Sequence, residues 1–150
     1  MDSTRRQLLK TSIALGLAAA TPALAASRIE GTPARTRSGR ILGTRYGDLH
    51  VFRGIRYGAS TAAHRFQPPQ QEMPWRGARE ATAFGASAPQ GGGDGPGSED
   101  CLFLNVTTPG LRDGKRRPIL FYIHGGGFNN GSGSDPLYDG TRLCTHGDVV

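Results

Sequence analysis

Pro118-Ile119-Leu120-Phe121-Tyr122-Ile123-His124-Gly125-Gly126-Gly127-Phe128 is the stretch whose reading decides the fold. Pro118 to Ile123 is apolar almost throughout, which predicts a strand buried on both faces. That strand runs directly into a glycine loop. Ester hydrolysis places negative charge on a carbonyl oxygen, and backbone N–H groups aimed at that point stabilise it. Losing one such donor typically costs about 2.7–4 kcal/mol. Glycine permits the unusual backbone that lets successive N–H groups converge, and it leaves room for a substrate. The glycine spacings of a phosphate-binding or dinucleotide loop are absent. Gly91-Gly92-Gly93 has no strand before it and no aromatic after it, so it reads as a linker.

Upstream, Gly39–Arg45 and Leu49–Ile55 predict two short strands, with Tyr46-Gly47-Asp48 as the turn of a hairpin. Arg65 to Trp75 holds Pro68, Pro69 and Pro74, which excludes regular helix and central strand. Ala78–Gly85 suits a short turn of helix, and 90–98 a flexible loop. Cys101–Val106 is a strand candidate, and Leu111–Arg117 a charged turn. Downstream, Tyr138–His146 has the spacing of a short helix, and Asp148-Val149-Val150 begins another buried strand.

The amino-terminal residues read as an address. A basic start with Arg5, Arg6 and Lys10 precedes an apolar run from Ile13 to Ala20, and Ala23-Leu24-Ala25 fits a small-x-small cleavage site. The run is too short to span a bilayer, which needs about 20 residues. Residues 1–25 are therefore expected to be a removable signal peptide and not a stable membrane anchor. Ser3-Thr4-Arg5-Arg6-Gln7-Leu8-Leu9-Lys10 resembles a twin-arginine export signal, so the export machinery is an expected partner and the periplasm or exterior the expected location. That route carries proteins folded in a reducing compartment, so folding is not expected to need a disulfide. Residues 26–36 are polar, without periodicity, and read as a linker.

Net charge is +6, but the arginines are scattered and no recognition module is present, which argues against nucleic acid as a partner. The two cysteines, Cys101 and Cys144, permit one bridge or two free thiols.

Six segments occur in an order that resembles the type-B carboxylesterases, the cholinesterase-like α/β-hydrolases. They are Phe52-Arg53-Gly54-Ile55-Arg56-Tyr57, Arg65-Phe66 with Pro68, Pro74-Trp75, Ala81–Gly85, Ser98-Glu99-Asp100-Cys101-Leu102-Phe103-Leu104-Asn105-Val106, and His124-Gly125-Gly126-Gly127-Phe128. Asp139-Gly140 and Asp148-Val149-Val150 continue the match, so the resemblance covers about residues 37–150. It implies an α/β-hydrolase fold, represented by its N-terminal strands and oxyanion-hole loop. By position, the N–H groups of Gly126 and Gly127 form the oxyanion hole, with His124 and Gly125 as loop residues and His124 in a structural hydrogen bond. Arg65 and Glu99 match a pair that is a buried ion pair in the family.

The departures are informative. Ala88-Pro89-Gln90 stands where the family often has Cys-Pro-Gln, so Cys101 lacks its usual bridging partner and two free thiols are expected. The loop after Gln90 has no aromatic to hold a cationic substrate by cation–π attraction, which argues against choline esters. Arg56 replaces a usual proline. No Gly-x-Ser-x-Gly occurs, and in this fold the nucleophile elbow and the rest of the triad follow the oxyanion loop. The resemblance thus implies a serine esterase acting on small carboxylic esters, without metal or cofactor, whose nucleophile lies outside these residues. The 150 residues alone are expected to be inactive. The rival readings are a non-catalytic exported fragment and a cholinesterase-like adhesion protein.

Overall fold

A computed structural model describes residues 31–91 and 97–150. The proposed signal peptide and residues 26–30 of the proposed linker lie outside the described residues, as do 92–96 of the glycine-rich loop.

Five strands form one sheet. They are β1 (Thr32–Arg35), β2 (Arg40–Tyr46), β3 (Leu49–Arg56), β4 (Ala78–Glu80) and β5 (Phe103–Thr108). β1, β2, β3 and β5 are neighbours in that order, each pair antiparallel. β2 and β3 make the expected hairpin. Tyr46 pairs with Leu49, so the loop is only Gly47-Asp48. Gly47 takes φ +58 while Asp48 does not turn left-handed, the pattern of a II′ turn, whose twist suits flanking strands.

Two expectations are corrected upstream. Thr32–Arg35 is a strand, not linker, pairing Thr32 with Gly43 through Arg35 with Arg40. Backbone groups alone satisfy such a ladder, so it needs no period-two side-chain pattern. Ala78–Glu80 is also a strand where a helical turn was expected. It runs parallel to Arg40–Leu42, and Ala81 and Thr82 carry the segment across to Arg53 of β3.

The core is small. Ile41, Phe52 and Ala81 are buried together, flanked by Ala34, Ile55, Trp75, Val106 and Leu111. A second cluster joins Leu49 and Val51 of β3 to Cys144 of α1 (Thr141–Gly147). The helix starts later than expected, because Pro136–Tyr138 is a separate 3₁₀ turn. Gly140 is its N-cap residue, and just before it the Asp139 carboxylate accepts the Thr141 N–H at 2.7 Å and is held below the usual range by Thr141. Both cysteines are free thiols. Cys144 Sγ donates to the Thr107 carbonyl at 3.3 Å, and burial pushes its thiol up, with Asp139 adding to the effect.

Pro118–Ile123 is not a strand, the main difference from the sequence reading. Its side chains are exposed on both faces, Ile119 at 76%, Phe121 at 73% and Ile123 at 76%. A strand needs hydrogen-bonded neighbours, and among the described residues only 148–150 approaches. The Leu120 N–H donates to the Val150 carbonyl at 2.7 Å and the Val150 N–H to the Pro118 carbonyl at 3.0 Å. That slanted exchange is the start of a parallel ladder. A charged clamp fixes its register. Arg117, with its side chain only 7% exposed, binds Asp113 at 2.6 Å and Asp148 at 2.7 Å. Lys115 reaches Asp148 at 3.5 Å.

Candidate active site

The glycine loop leaves the end of the 118–123 segment and turns at once. Gly126 has φ +121, Gly127 φ +61, Phe128 φ +60 and Gly131 φ +107. Asn129 and Asn130 both donate their N–H to the Gly126 carbonyl, at 3.0 and 3.3 Å, closing a tight turn. Two of the glycines have no substitute. A Cβ at Gly126 would lie 1.9 Å from the Asn130 carbonyl oxygen, and one at Gly131 2.6 Å from that of Gly125. Gly127 is different, since nothing lies within 4 Å of where its Cβ would be. Among the described residues no acceptor takes the N–H of Gly126 or Gly127. The loop therefore presents two unclaimed donors, with open space at Gly127. Phe128 follows them, fully exposed and left-handed, a conformation uncommon for a bulky residue and worth reading as functional strain.

His124 Nδ1 lies 2.8 Å from the Gly125 carbonyl oxygen, within its own loop. Tyr122 and Tyr138 pack against each other with ring centroids 4.8 Å apart and planes tilted by 38°. Burial and the adjacent Tyr122 hold the Tyr138 phenol above its ordinary range.

The loop is held from behind by residues the sequence reading did not single out. The side-chain amide of Gln90 accepts the Gly131 N–H at 2.7 Å and donates to the Gly131 carbonyl at 3.0 Å. Ser87 donates to Ser132 Oγ at 3.0 Å, and Ser132 and Ser134 share a 2.7 Å hydroxyl contact. Asn105 of β5 donates to the Gly133 carbonyl at 3.0 Å and accepts the Gly54 N–H at 2.9 Å. Asn105 stands opposite a bulge in β3, where Phe52 pairs with Val106 but Ile55 pairs with Leu104. The bulge thus turns a strand residue into a strut for the loop. Its signal was present in the Ser98–Val106 stretch, but nothing local showed where the side chain would reach.

Arg65 and Glu99 come together at 3.1 Å, but Arg65 is 61% exposed. The expectation of a buried pair is corrected to a surface pair, worth about 0–1 kcal/mol. Glu99 is positioned instead by Thr61, whose hydroxyl donates to the Glu99 carbonyl at 2.7 Å. A two-point pair is one the sequence reading missed. Arg56, in the usual place of proline, forms a two-point pair with Asp100 and lies 4.6 Å over the Phe103 ring. Its guanidinium holds the Asp100 carboxyl below its ordinary value. Burial, then Glu99 and Asp100, push the neighbouring Cys101 thiol up.

A sheet with parallel pairing beginning beyond it, and a glycine loop of unclaimed donors after an apolar segment, define an α/β-hydrolase. The Carboxylesterase family matches residues 31–150, and this chain belongs to that family. Among its relatives, the phenmedipham hydrolase of Pseudarthrobacter oxydans is 41% identical over 129 residues, covering 78% of this chain and 26% of the relative. The para-nitrobenzyl esterase of Bacillus subtilis (strain 168) is 36% identical over 129 residues, covering 77% and 25%. The crystal structure of the Geobacillus stearothermophilus carboxylesterase at pH 6.8 superposes with a TM-score of 0.72 at 46% identity, over 79% of this chain and 25% of that one. The chain thus spans about a quarter of the length of the curated relatives it matches.

Proposed function

We propose that this chain supplies the oxyanion hole of a serine-dependent carboxylic ester hydrolase, whose nucleophile comes from sequence outside these residues. The observation that carries the reading is the pair of unclaimed N–H donors at Gly126 and Gly127, in a loop whose turn admits only glycine at Gly126 and Gly131. In the proposed reaction a serine hydroxyl, deprotonated by a histidine, attacks the ester carbonyl. The carbonyl oxygen takes up the negative charge and the two N–H groups bind it. The alcohol leaves, and water releases the acid from the acyl-enzyme through a second oxyanion at the same donors. The chemistry calls on no metal or cofactor. We assign residues 1–25 to a twin-arginine signal peptide and the location to the periplasm or exterior, on Arg5-Arg6 and the run behind them.

The test is hydrolysis of a para-nitrobenzyl ester by the complete protein, followed by mass spectrometry after phosphonate treatment. One phosphonylated serine outside residues 1–150, with activity lost in proportion, is the expected result. Turnover that survives stoichiometric phosphonylation overturns the serine reading.

A further inference from the structure

We infer that Gln90 is a positioning residue for the oxyanion loop, acting through Gly131. The inference rests on the ester-hydrolase reading above and deepens it.

Gln90 lies 41 residues from Gly131 in sequence, yet its amide engages both polar groups of that residue. The oxygen accepts the N–H at 2.7 Å and the nitrogen donates to the carbonyl at 3.0 Å. The same nitrogen donates to the Ala88 carbonyl at 3.2 Å, which ties the amide to its own loop. This is how a neighbouring strand would grip Gly131, performed by one side chain. A primary amide can do it because it carries an acceptor and two donors in one plane.

Gly131 is a good place to hold. Its position is so tight that a Cβ would fall 2.6 Å from the Gly125 carbonyl oxygen and 2.7 Å from His124 Nδ1. Only a residue without a side chain fits there, so the backbone of Gly131 runs close beside the start of the loop. Gly125 is joined directly to Gly126, whose N–H is the first of the two donors. Ser87 and Ser132 make a second tie between the same two segments, so Gln90 closes one end of a short side-chain zipper. Preorganised donors stabilise a transition state only when held where the charge will appear, and a misplacement of about 1 Å costs about 100-fold in rate. Gln90 touches neither substrate nor oxyanion, and its effect passes through Gly131 and Gly125.

The experiment uses the complete protein and a para-nitrobenzyl ester. Gln90→Ala is expected to lower kcat by about 10- to 100-fold, with KM changed less than about threefold, because binding does not depend on the donors while turnover does. Gln90→Glu gives the readout that a merely structural role would not move. Its carboxylate still accepts the Gly131 N–H but turns a second oxygen toward the carbonyls of Gly131 and Ala88. Protonated, it donates again and restores the grip. Those carbonyls disfavour the ionised form and raise the carboxyl pKa. The ratio of kcat in Gln90→Glu to that of the parent is therefore expected to rise as pH falls from 8 toward about 5. Gln90→Ala should show no such trend. A folded Gln90→Ala variant with parental kcat overturns the inference, as does a Gln90→Glu ratio flat with pH. No turnover by the unaltered protein removes the ester-hydrolase reading and this inference with it. Turnover that Gly126→Pro abolishes but Gln90→Ala leaves intact removes this inference alone.

Discussion

A methyl group on Gly126 would enter the space of the Asn130 carbonyl, and the φ of +121 would be strained for any side chain. Gly126→Ala must therefore open the turn that Asn129 and Asn130 close, and the donors turn with it. In the complete protein we expect kcat on an aryl ester to fall by about 10²–10³, in line with losing one oxyanion donor. The fall should leave KM largely unchanged. Parental kcat in a folded Gly126→Ala variant would count against this placement. Arg56 shows the opposite lesson. It breaks the family's usual proline and gains a two-point pair with Asp100, so a departure in sequence became a contact in space.

The hairpin and the charged clamp behave differently as elements. β2 and β3 carry the buried Ile41 and Phe52, whereas the 118–120 and 148–150 segments are joined by two backbone bonds and by Arg117. The clamp makes the second pairing sensitive to acid. Arg117, with the Lys115 N–H, holds the Asp113 carboxyl down to about 2, and Arg117 holds Asp148 below its ordinary value. Both carboxyls are depressed in the folded state, so the unfolded chain binds more protons as pH falls. Their stabilisation is complete above the unfolded value of about 3.9 and is lost as pH drops through about 2. In the complete protein, thermal midpoints of the parent and of Arg117→Ala should thus differ most above about pH 4 and converge toward pH 2. A gap that stays constant across this range would show that the ion pairs do not hold the segment. Hydrogen exchange at Leu120 and Val150 should quicken in Arg117→Ala while the β2–β3 amides keep their protection.

At the scale of the whole molecule, apolar surface is left uncovered. Ile119 to Ile123 is exposed on both faces, and an open groove of about 640 Å³ runs between Pro118, Leu120, Leu143 and Val149. Unpaired strand edges with apolar side chains are a template for association. Residues 31–150 produced alone are expected to bind a hydrophobic dye, to associate, and to unfold without a sharp transition. Ordering each residue costs about 1–2 kcal/mol, and the two small clusters bury little to offset it. Hydrolysis of aryl esters by that segment should be at background. A soluble monomer with a cooperative transition would refute the expectation. The proposed export signal is tested in the intact chain. Exchange of Arg5-Arg6 for Lys-Lys should hold the protein in the cytoplasm, and an undiminished exported yield would remove the twin-arginine assignment.

Much of this was determined by the sequence alone. The hairpin was legible because a φ-permissive Gly47 sits between two apolar runs, and both signals are local. The glycine loop and the order of the six segments were legible because glycine geometry and motif order survive without coordinates. The tertiary structure decided the rest. It placed β1 and β4, whose ladders use backbone groups common to every sequence. It exposed Pro118–Ile123, because an apolar run states that cover is wanted and not where the cover comes from. It put Arg65 at the surface and Arg56 in the tighter pair, and it brought Gln90 and Asn105 behind the loop. Those contacts join residues 28 to 51 apart. Local propensity extends over a few residues, so pairings at that range are chosen by the packing of the whole chain.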